Sequence, residues 1–430
     1  MATSDLEPLG RTYWKLAAAT GLTNTADGIR LIAFPWLAST LTRDPLLIAA
    51  VAAATQVSWL VLTVPVGAVI DRCDRRVPMV GAHAVHLGTG LAIALLLLYG
   101  QLSVPTLLVL AVLTGGAEVV IDTTAQTLLP AVVEPRHLVR ASGYLVGAET
   151  GAQALAGRPL GGLLSGLSSA MAFGAGAALA VASTISLLLM PGHSFRPGRS
   201  AAEPPAAVLA GLSQGLRWLR THRLLRDLGI IIALSNIVYG ATLAVFVIFA
   251  REVLGVGAVG FAILGSCGVA GGLLGAVRAA PIVRRLGDRG TFLLVILVTG
   301  GAFAAIGLTA NAVVTAVMLA LVGLLFTVWE AAWRVLRIRL VPGHLLGRVT
   351  GVLRWLEMGP FPLASLLGGA LVVIGTAIAG RSFGLHLPYF LTAAVFGLLG
   401  IALHRIARPD RIAAAEAEIH ALPRSPPDAG

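Results

Sequence analysis

Charged residues are scarce in this chain of 430 residues: they make up 12% of it, against about 25% in an ordinary soluble domain. Aromatic residues are also few, at 6%, whereas 57% of the residues are hydrophobic and 51 are glycines. This balance excludes an ordinary soluble protein. It is typical of apolar helices that pack closely through small residues within a lipid bilayer.

Cysteine is nearly absent, with two copies in the chain. Cys73 is predicted in a loop and Cys267 within an apolar span, so we expect neither a disulfide nor a metal site. His83 and His86 lack a third ligand and are interpreted as polar packing residues near the loop at 71–76. The sequence also lacks a nucleotide-binding P-loop and any Cys-His or Ser-His nucleophile pattern. It therefore predicts no enzyme, no catalytic residue, no cofactor and no bound metal.

Apolar runs long enough to cross about 30 Å of hydrocarbon, at about 1.5 Å per helical residue, recur along the chain. They predict an all-α polytopic membrane protein with twelve transmembrane helices. The predicted spans are residues 14–41, 45–70, 78–100, 104–129, 137–165, 167–190, 225–250, 256–281, 290–310, 312–338, 344–375 and 383–405.

The distribution of basic residues explains the net charge of +11. Of the 31 basic residues, 24 fall in segments predicted on the side of the N-terminus, and only Arg43, Arg251 and Arg381 fall in the opposite loops. This bias predicts a cell membrane protein with both termini in the cytoplasm, and it makes a nucleic acid partner unnecessary. Thirty arginines against one lysine indicate a GC-rich, bacterial genome.

The two halves of the chain resemble each other at an offset near 210 residues. The segment NTADG at 24–28 matches NIVYG at 236–240. The segment GAV at 67–69 recurs at 275–277, and both copies of GAV precede a charged loop. Such repeats predict a duplicated six-helix unit in parallel orientation. The predicted domains are an N-terminal six-helix bundle at 1–190, a cytoplasmic linker with an interfacial helix at 191–224, a C-terminal six-helix bundle at 225–408 and a flexible cytoplasmic tail at 409–430.

Two acidic residues, Glu118 and Asp122, lie four residues apart within the apolar segment TGGAEVVIDTTAQTLLP. A carboxylate at the centre of a bilayer costs about 2.5 to 3.5 kcal/mol even on the lenient insertion scale. Because like charges on one helical face repel, we expect one of the two to hold a proton near neutral pH. Either they bind protons or substrate, or they form a structural network with Arg30 or Arg158.

Other buried acids have a possible partner on their own helix. Asp27 lies three residues before Arg30, and Glu357 lies three residues after Arg354, so each can form an ion pair on its own helix. A structural ion pair and a functional role both stay open for these two acids. Glu149 lies near the middle of the fifth predicted span and is expected to join Glu118 and Asp122.

The loop GAVIDRCDRR, with Gly67, Asp71, Arg72, Arg75 and Arg76, matches the pattern G-x-x-x-D-R-x-x-R-R. This loop resembles the signature loop of the major facilitator superfamily. The resemblance implies that Gly67 permits close helix approach. It also implies that Asp71 pairs with arginines across the gap between the two halves, which would hold the outward-facing state closed on the cytoplasmic side.

The stretches EVVIDTTAQTLLPAVV and LVPGHLLGRVTGVLRWLEMGPFPLASLLGG are similar to the drug and siderophore exporter branch of that superfamily, which includes the enterobactin and macrolide exporters. The resemblance implies proton-driven export of a small amphipathic organic compound by alternating access. The expected proton or substrate residues are Asp27, Arg30, Glu118, Asp122 and Glu149. The expected partners are protons, a small-molecule substrate and lipid. The proton gradient is expected to supply the energy without a cofactor. The protein is expected to function as a monomer.

The segment GAQALAGRPLGG resembles the antiporter motif of the family, in which glycine and proline bend and thin the fifth helix. Gly157, Pro159, Gly161 and Gly162 match it, whereas Arg158 stands where the family has proline. A guanidinium within a span needs an acidic or carbonyl partner or open water. We therefore expect Arg158 to find one of these and to line the extracellular vestibule.

A possible substrate wall is more aromatic and aliphatic than the acidic half, although ordinary helix packing explains such residues as well. Its predicted members are Asn24, Asn236, Tyr239, Phe246, Trp329, Glu330 and Trp333. Two further functions stay open: a lysophospholipid or metabolite carrier of the same fold, and a transporter-like receptor or scaffold that moves nothing.

Overall fold

A computed structural model of the chain describes residues 9–70, 73–195 and 205–407, and these ranges contain helices and no β-strand. The protein is therefore all-α, as the sequence predicts. The helices are α1 (Gly10–Leu41), α2 (Pro45–Ile70), α3 (Arg76–Leu98), α4 (Val104–Val132), α5 (Leu138–Gly151), α6 (Arg158–Leu167), α7 (Ser169–Leu188), α8 (Pro205–Thr221), α9 (Arg223–Glu252), α10 (Ala258–Gly307), α11 (Ala312–Leu340), α12 (Leu346–Met358) and α13 (Phe361–Ile406).

Three interruptions relate these helices to the twelve predicted spans. A π-helical turn at Ala152–Gly157 joins α5 to α6, and together they form the fifth predicted span. Gly287 within α10 and Gly380 within α13 have φ values of +66° and +86°, a backbone conformation that favours glycine. Each of these two long helices is therefore two helices joined at a sharp turn. Divided in this way, and with α12 and the first part of α13 together forming the eleventh predicted span, the helices of the described ranges are consistent with the twelve predicted spans, and α8 is additional.

The exterior of the helices is apolar. Eight helical segments among the described residues are long and apolar enough to cross a membrane, by length and composition. Large apolar side chains point outward along them; the exposed fractions of Val77, Leu98 and Leu363 are 71, 72 and 72%. An apolar surface of this extent requires lipid rather than water around it. The chain is a multi-pass membrane protein.

Contacts between Cα atoms divide the chain into two compact units, which are described separately. The first unit contains α1 to α7 with the neighbouring ends of α9, α10 and α13, and the second contains α8 with the remainder of α9 to α13. In sequence ranges, the first unit is 1–205, 243–266 and 365–385, and the second is 206–242, 267–364 and 386–430. The predicted duplication is a statement about sequence repeats and stays a prediction.

The core of the second unit is formed by large side chains. Trp333 and Leu336 of α11 are fully buried together with Phe292 of α10. The linker helix α8 packs on this unit through Gly215, where a Cβ atom would lie 2.7 Å from the carbonyl oxygen of Arg348. A helix is therefore present in the predicted linker, whereas its predicted position at the membrane surface stays a prediction. The predicted tail at 409–430 lies outside the described residues.

Candidate functional site

The ion pair predicted on α1 is present. The Arg30 guanidinium donates to the Asp27 carboxylate three residues earlier on the same helix. Both side chains are buried, with exposed fractions of 4% for Asp27 and 9% for Arg30. A buried charge of either sign is costly without a partner, so the two groups depend on each other.

The two acids of α4 lie beside this pair. Glu118 and Asp122 are half-buried on neighbouring turns of α4. The charges of Asp27 and Arg30 act on both carboxylates, and Glu149 of α5 acts on Asp122. The structure therefore brings the five predicted residues together; they are called the acid cluster below. It holds four carboxyl groups and one guanidinium, so its charge cannot balance while all the carboxyl groups are ionised.

Glycines bring α1 against the broken helix that follows α5. A Cβ atom at Gly28 would lie 2.2 Å from the carbonyl oxygen of Gln153, and one at Gly157 would lie 2.5 Å from that of Thr25. A Cβ atom at Gly161 would lie 2.9 Å from the Cα atom of Ile29. No larger residue fits at these points. The motif glycines therefore determine how closely α1, with Asp27 and Arg30, packs against the π-helical turn and α6 in the first unit.

The remaining members of the predicted antiporter motif lie in the same segment. Pro159 is at the start of α6, where a missing N–H group costs nothing. At Gly162, a Cβ atom would lie 2.4 Å from the Cβ of Ala262, on the end of α10 that belongs to the first unit. Arg158 donates to the carbonyl oxygen of Gly265 at 3.0 Å. The carbonyl partner expected for this guanidinium is thus present, and its place in a vestibule stays a prediction.

The predicted gating loop differs from expectation at two points. A Cβ atom built at Gly67 meets no atom of the described residues within 4 Å, so the expected close helix approach is absent in this conformation. Arg76 donates to the carbonyl oxygen of Met190 at 3.0 Å and lies over the ring of Phe195 at 4.8 Å. The backbone N–H of Arg75 donates to the carbonyl oxygen of Phe195 at 3.0 Å. Both arginines therefore hold the end of α7 within the first unit.

Asp71 and Arg72 of the same loop lie outside the described residues. The predicted pairing of Asp71 across the halves therefore stays a prediction.

His83 and His86 are buried in the first unit, and their predicted position near the loop at 71–76 stays a prediction. Each has an exposed fraction of 2%, and the charge of Arg30 acts on both rings. The described residues contain no group of three or more side chains able to hold a metal ion.

A cavity of about 630 Å³, which includes the part open to solvent, lies within the second unit. Ring and amide side chains line it beside two acids and a thioether, with no basic side chain among them. The lining residues are Ile232, Ser235, Asn236, Tyr239, Val295, Ile296, Thr299, Val322, Phe326, Trp329, Glu330, Glu357, Met358 and Phe396. Such a mainly apolar concavity with a few polar groups is the usual form of a small-molecule site.

The predicted substrate wall coincides with this cavity only in part. Four of its members, Asn236, Tyr239, Trp329 and Glu330, line the cavity. Three do not. Asn24 donates to the carbonyl oxygen of Thr20 at 3.0 Å on its own helix, Phe246 packs against Phe261 in the first unit with ring centroids 5.7 Å apart, and Trp333 is fully buried in the core.

The possible pair of Glu357 with Arg354 is not formed, because the Arg354 side chain is exposed whereas Glu357 is buried. The Glu357 carboxylate instead accepts a hydrogen bond from the indole N–H of Trp333 at 2.9 Å, and Arg337 of α11 lies 3.8 Å from it. The backbone carbonyl of Glu357 also accepts from the amide of Asn236 at 2.9 Å. Spacing on a single helix could not reveal this, since both side-chain partners lie on α11.

Sequence reasoning missed a polar cluster that joins three loop regions of the first unit. The Arg381 guanidinium makes two hydrogen bonds to the Glu252 carboxylate, at 2.8 and 3.0 Å, and a third to the carbonyl oxygen of Arg43 at 3.1 Å. Arg251 donates to the carbonyl oxygen of Ser39. These residues are called the interloop cluster below: Arg43, Arg251, Glu252 and Arg381. The cluster joins segments more than 100 positions apart in the sequence, so no local sequence pattern predicts it.

The sequence matches known proteins along most of its length. The profile of the Major Facilitator Superfamily matches residues 16–365. The Multidrug efflux pump Tap of Mycolicibacterium fortuitum is 28% identical over 393 residues, which cover 87% of this chain and 90% of that protein. Tap of Mycobacterium tuberculosis strain H37Rv is 26% identical over 404 residues, which cover 90 and 91% of the two chains.

Solved structures share the fold at low sequence identity. A crystal structure of the nucleoside transporter NupG has a TM-score of 0.72 at 14% identity and covers 92% of this chain and 99% of its own. A bacterial homolog of the human lysosomal transporter Spinster, inward-facing and occupied, has a TM-score of 0.71 at 14% identity and covers 92 and 96% of the two chains. A bacterial homologue of the iron transporter ferroportin, inward-facing, has a TM-score of 0.69 at 15% identity and covers 92 and 100%.

Proposed function

Because the chain belongs to the major facilitator superfamily, it is a membrane transporter rather than an enzyme, and we propose that it exports small amphipathic organic compounds in exchange for protons. Relatives along nearly the whole chain that are named multidrug efflux pumps support export and a drug-like substrate. We further propose that it lies in a bacterial cell membrane with both termini in the cytoplasm, and that it works as a monomer without a cofactor.

The acid cluster is the observation that carries proton coupling. Asp27 already holds the Arg30 guanidinium, so the half-buried Glu118 and Asp122 share a cation that is engaged elsewhere. A proton is the smallest cation that relieves such an excess of buried negative charge. We assign proton binding to Glu118, which lies at the middle of α4, with Asp122 one turn further along the helix adjusting it.

The cavity of the second unit is proposed as the place where the organic substrate binds. Tyr239, Phe326 and Trp329 offer aromatic faces to a planar apolar group, which rings stack against favourably. Glu330 supplies an acidic side chain, and no basic side chain lines the cavity. This chemistry favours compounds that combine ring systems with a basic or neutral polar group. Rocking between two arrangements of the helices would expose the site alternately to the two sides of the membrane.

The test is transport by purified protein in proteoliposomes. Efflux of a panel of fluorescent amphipathic drugs is measured with and without an imposed pH gradient. We expect the wild-type protein to be driven by the gradient, and Glu118→Gln and Asp122→Asn each to lose that dependence because an amide takes up no proton. Glu134→Gln is the matched control, since that acid is exposed and pairs with Arg136 after the end of α4.

Thermal unfolding of each variant in detergent establishes that it is folded. Transport that stays fully coupled to the pH gradient in both α4 variants would refute the assignment of the proton site. Absence of gradient-driven efflux for every compound in the wild-type protein would refute proton-coupled export.

A further inference from the structure

Two buried histidines beside the acid cluster have no part in the function proposed above. His83 and His86 lie on α3, with ring centroids 6.5 Å apart and exposed fractions of 2% each. The charge of Arg30 acts on both rings. Polar atoms buried this deeply normally have a hydrogen-bond partner, and the Nδ1 atoms of both rings lack one among the described residues.

Hydrogen bonds assign the protons of both rings. The Nε2 atom of His86 lies 3.1 Å from the carbonyl oxygen of Thr114, which can only accept, so this nitrogen carries hydrogen. The Nε2 atom of His83 lies 3.5 Å from the Ser183 hydroxyl, which donates to the carbonyl oxygen of Ala19 at 3.0 Å. His83 therefore also donates through Nε2. In a neutral imidazole the other nitrogen is then an acceptor.

The Nδ1 atoms of His83 and His86 are buried, and neither has a hydrogen-bond partner among the described residues. The Nε–H of Arg30 is likewise buried without an acceptor. Arg30 has five N–H donors, of which the contact with Asp27 uses only part. One cation with spare donors and two imidazoles with spare acceptors are therefore buried in the same unit, where the charge of Arg30 acts on both rings.

We propose that His83 and His86 form a second acceptor site for the Arg30 guanidinium, which Arg30 occupies when the acid cluster takes up a proton. The two histidines are positioning residues: they act on the proton site through Arg30. The inference rests on the proposed proton coupling and deepens it. It gives Arg30 two positions, one on the Asp27 carboxylate of α1 and one on the imidazoles of α3.

The physical reason is that a buried guanidinium cannot be left without acceptors. When a proton taken up by the cluster passes to Asp27, the attraction that holds Arg30 weakens, and the imidazole nitrogens are the alternative acceptors. The titratable groups on which the charge of Arg30 acts are Asp27 on α1, the histidines on α3, and Glu118 and Asp122 on α4. Glu149 on α5 acts on Asp122.

Two further helices that pack against α1 leave this balance unchanged. α7 carries no titratable side chain, and Arg158 of α6 donates to the carbonyl oxygen of Gly265. A second acceptor site therefore stabilises the protonated cluster, and its loss must make proton uptake harder.

The first experiment separates the two nitrogens of each ring. His83→Gln with His86→Gln keeps an amide at the place of Nε2 but no acceptor at Nδ1, whereas His→Asn at both positions keeps an acceptor at Nδ1. In proteoliposomes, we expect the double Gln variant to shift the pH midpoint of gradient-driven efflux down by about one unit, a tenfold loss of proton affinity. The double Asn variant should retain most of the wild-type midpoint.

Thr89→Val is the matched control, because it removes a buried hydroxyl of the same helix whose hydrogen bonds are to Thr114 and to the carbonyl oxygen of His86. Its midpoint should be that of the wild-type protein. All variants are compared by thermal unfolding, so that a loss of folding is recognised. A purely structural role of the rings predicts instead that the Gln variant behaves as wild type once folded.

The second experiment is an experimental structure of Asp27→Asn, which mimics a protonated Asp27. We expect the Arg30 guanidinium within hydrogen-bond distance of Nδ1 of His83 or His86. A guanidinium that stays on residue 27 or turns to Glu118 overturns the inference, as does an unchanged midpoint in the double Gln variant. A wild-type protein without gradient-driven transport would refute the proposed function instead, and the structure would still decide where Arg30 goes.

Discussion

A methyl group added at Gly28 tests whether the close approach of α1 to the π-helical turn sets the acid cluster. The new Cβ would lie 2.2 Å from the carbonyl oxygen of Gln153 and 2.7 Å from the Cα of Gly157. Ordinary contact begins at 3.4 Å, so the two segments must separate by about 1.2 Å. Overpacking lowers the free energy of unfolding by about 1 to 3 kcal/mol. The higher helix propensity of alanine raises it by up to about 1 kcal/mol. Because both obstacles are backbone atoms that cannot rotate away, we expect a net loss of about 2 kcal/mol.

The assay combines thermal unfolding in detergent with gradient-driven efflux in proteoliposomes. Gly21→Ala is the matched control, since a Cβ at that position of the same helix meets nothing within 4 Å. We expect Gly28→Ala to unfold at a lower temperature and to transport poorly, because the separation moves Asp27 away from the acids of α4 and α5. The reasoning fails if Gly28→Ala matches Gly21→Ala in both measurements.

Two further predictions concern contacts that the sequence did not reveal. Arg381→Ala removes the hydrogen bonds to Glu252 and should make the interloop cluster more accessible to a thiol reagent at an introduced cysteine. Arg43→Ala keeps the backbone carbonyl that accepts from Arg381 and should not change the labelling. Equal labelling of the two variants would contradict the view that these hydrogen bonds hold the loop regions together. Trp333→Phe deletes the hydrogen-bond donor to the buried Glu357 and should lower the free energy of unfolding by about 1 to 3 kcal/mol. The control Trp355→Phe should change this free energy little, because the Trp355 side chain is 62% exposed.

Much of the fold follows from local patterns. Apolar runs predict the helices because a bilayer forces every backbone polar group into internal hydrogen bonds. The ion pair of Asp27 and Arg30 is also predictable from a local pattern, since residues three apart on a helix lie on the same face. The partner of Glu357 is not, because proximity between α11 and α12 depends on how whole helices pack. The positions of His83 and His86 beside Arg30 are equally hidden, since helical spacing does not reveal which face of α3 meets α1.

By itself, the sequence determined the class of the protein, its apolar helices, the family and the residue types of the acid cluster, because these depend on composition, period and motif. Only the tertiary structure decided which charges meet. Glycines at 28, 157 and 161 let backbones touch, and this contact carries the Asp27–Arg30 pair beside Glu118. Electrostatic interaction falls off with distance and grows in a low dielectric. The chemistry of the acid cluster is therefore a property of the packed helices and not of any segment alone.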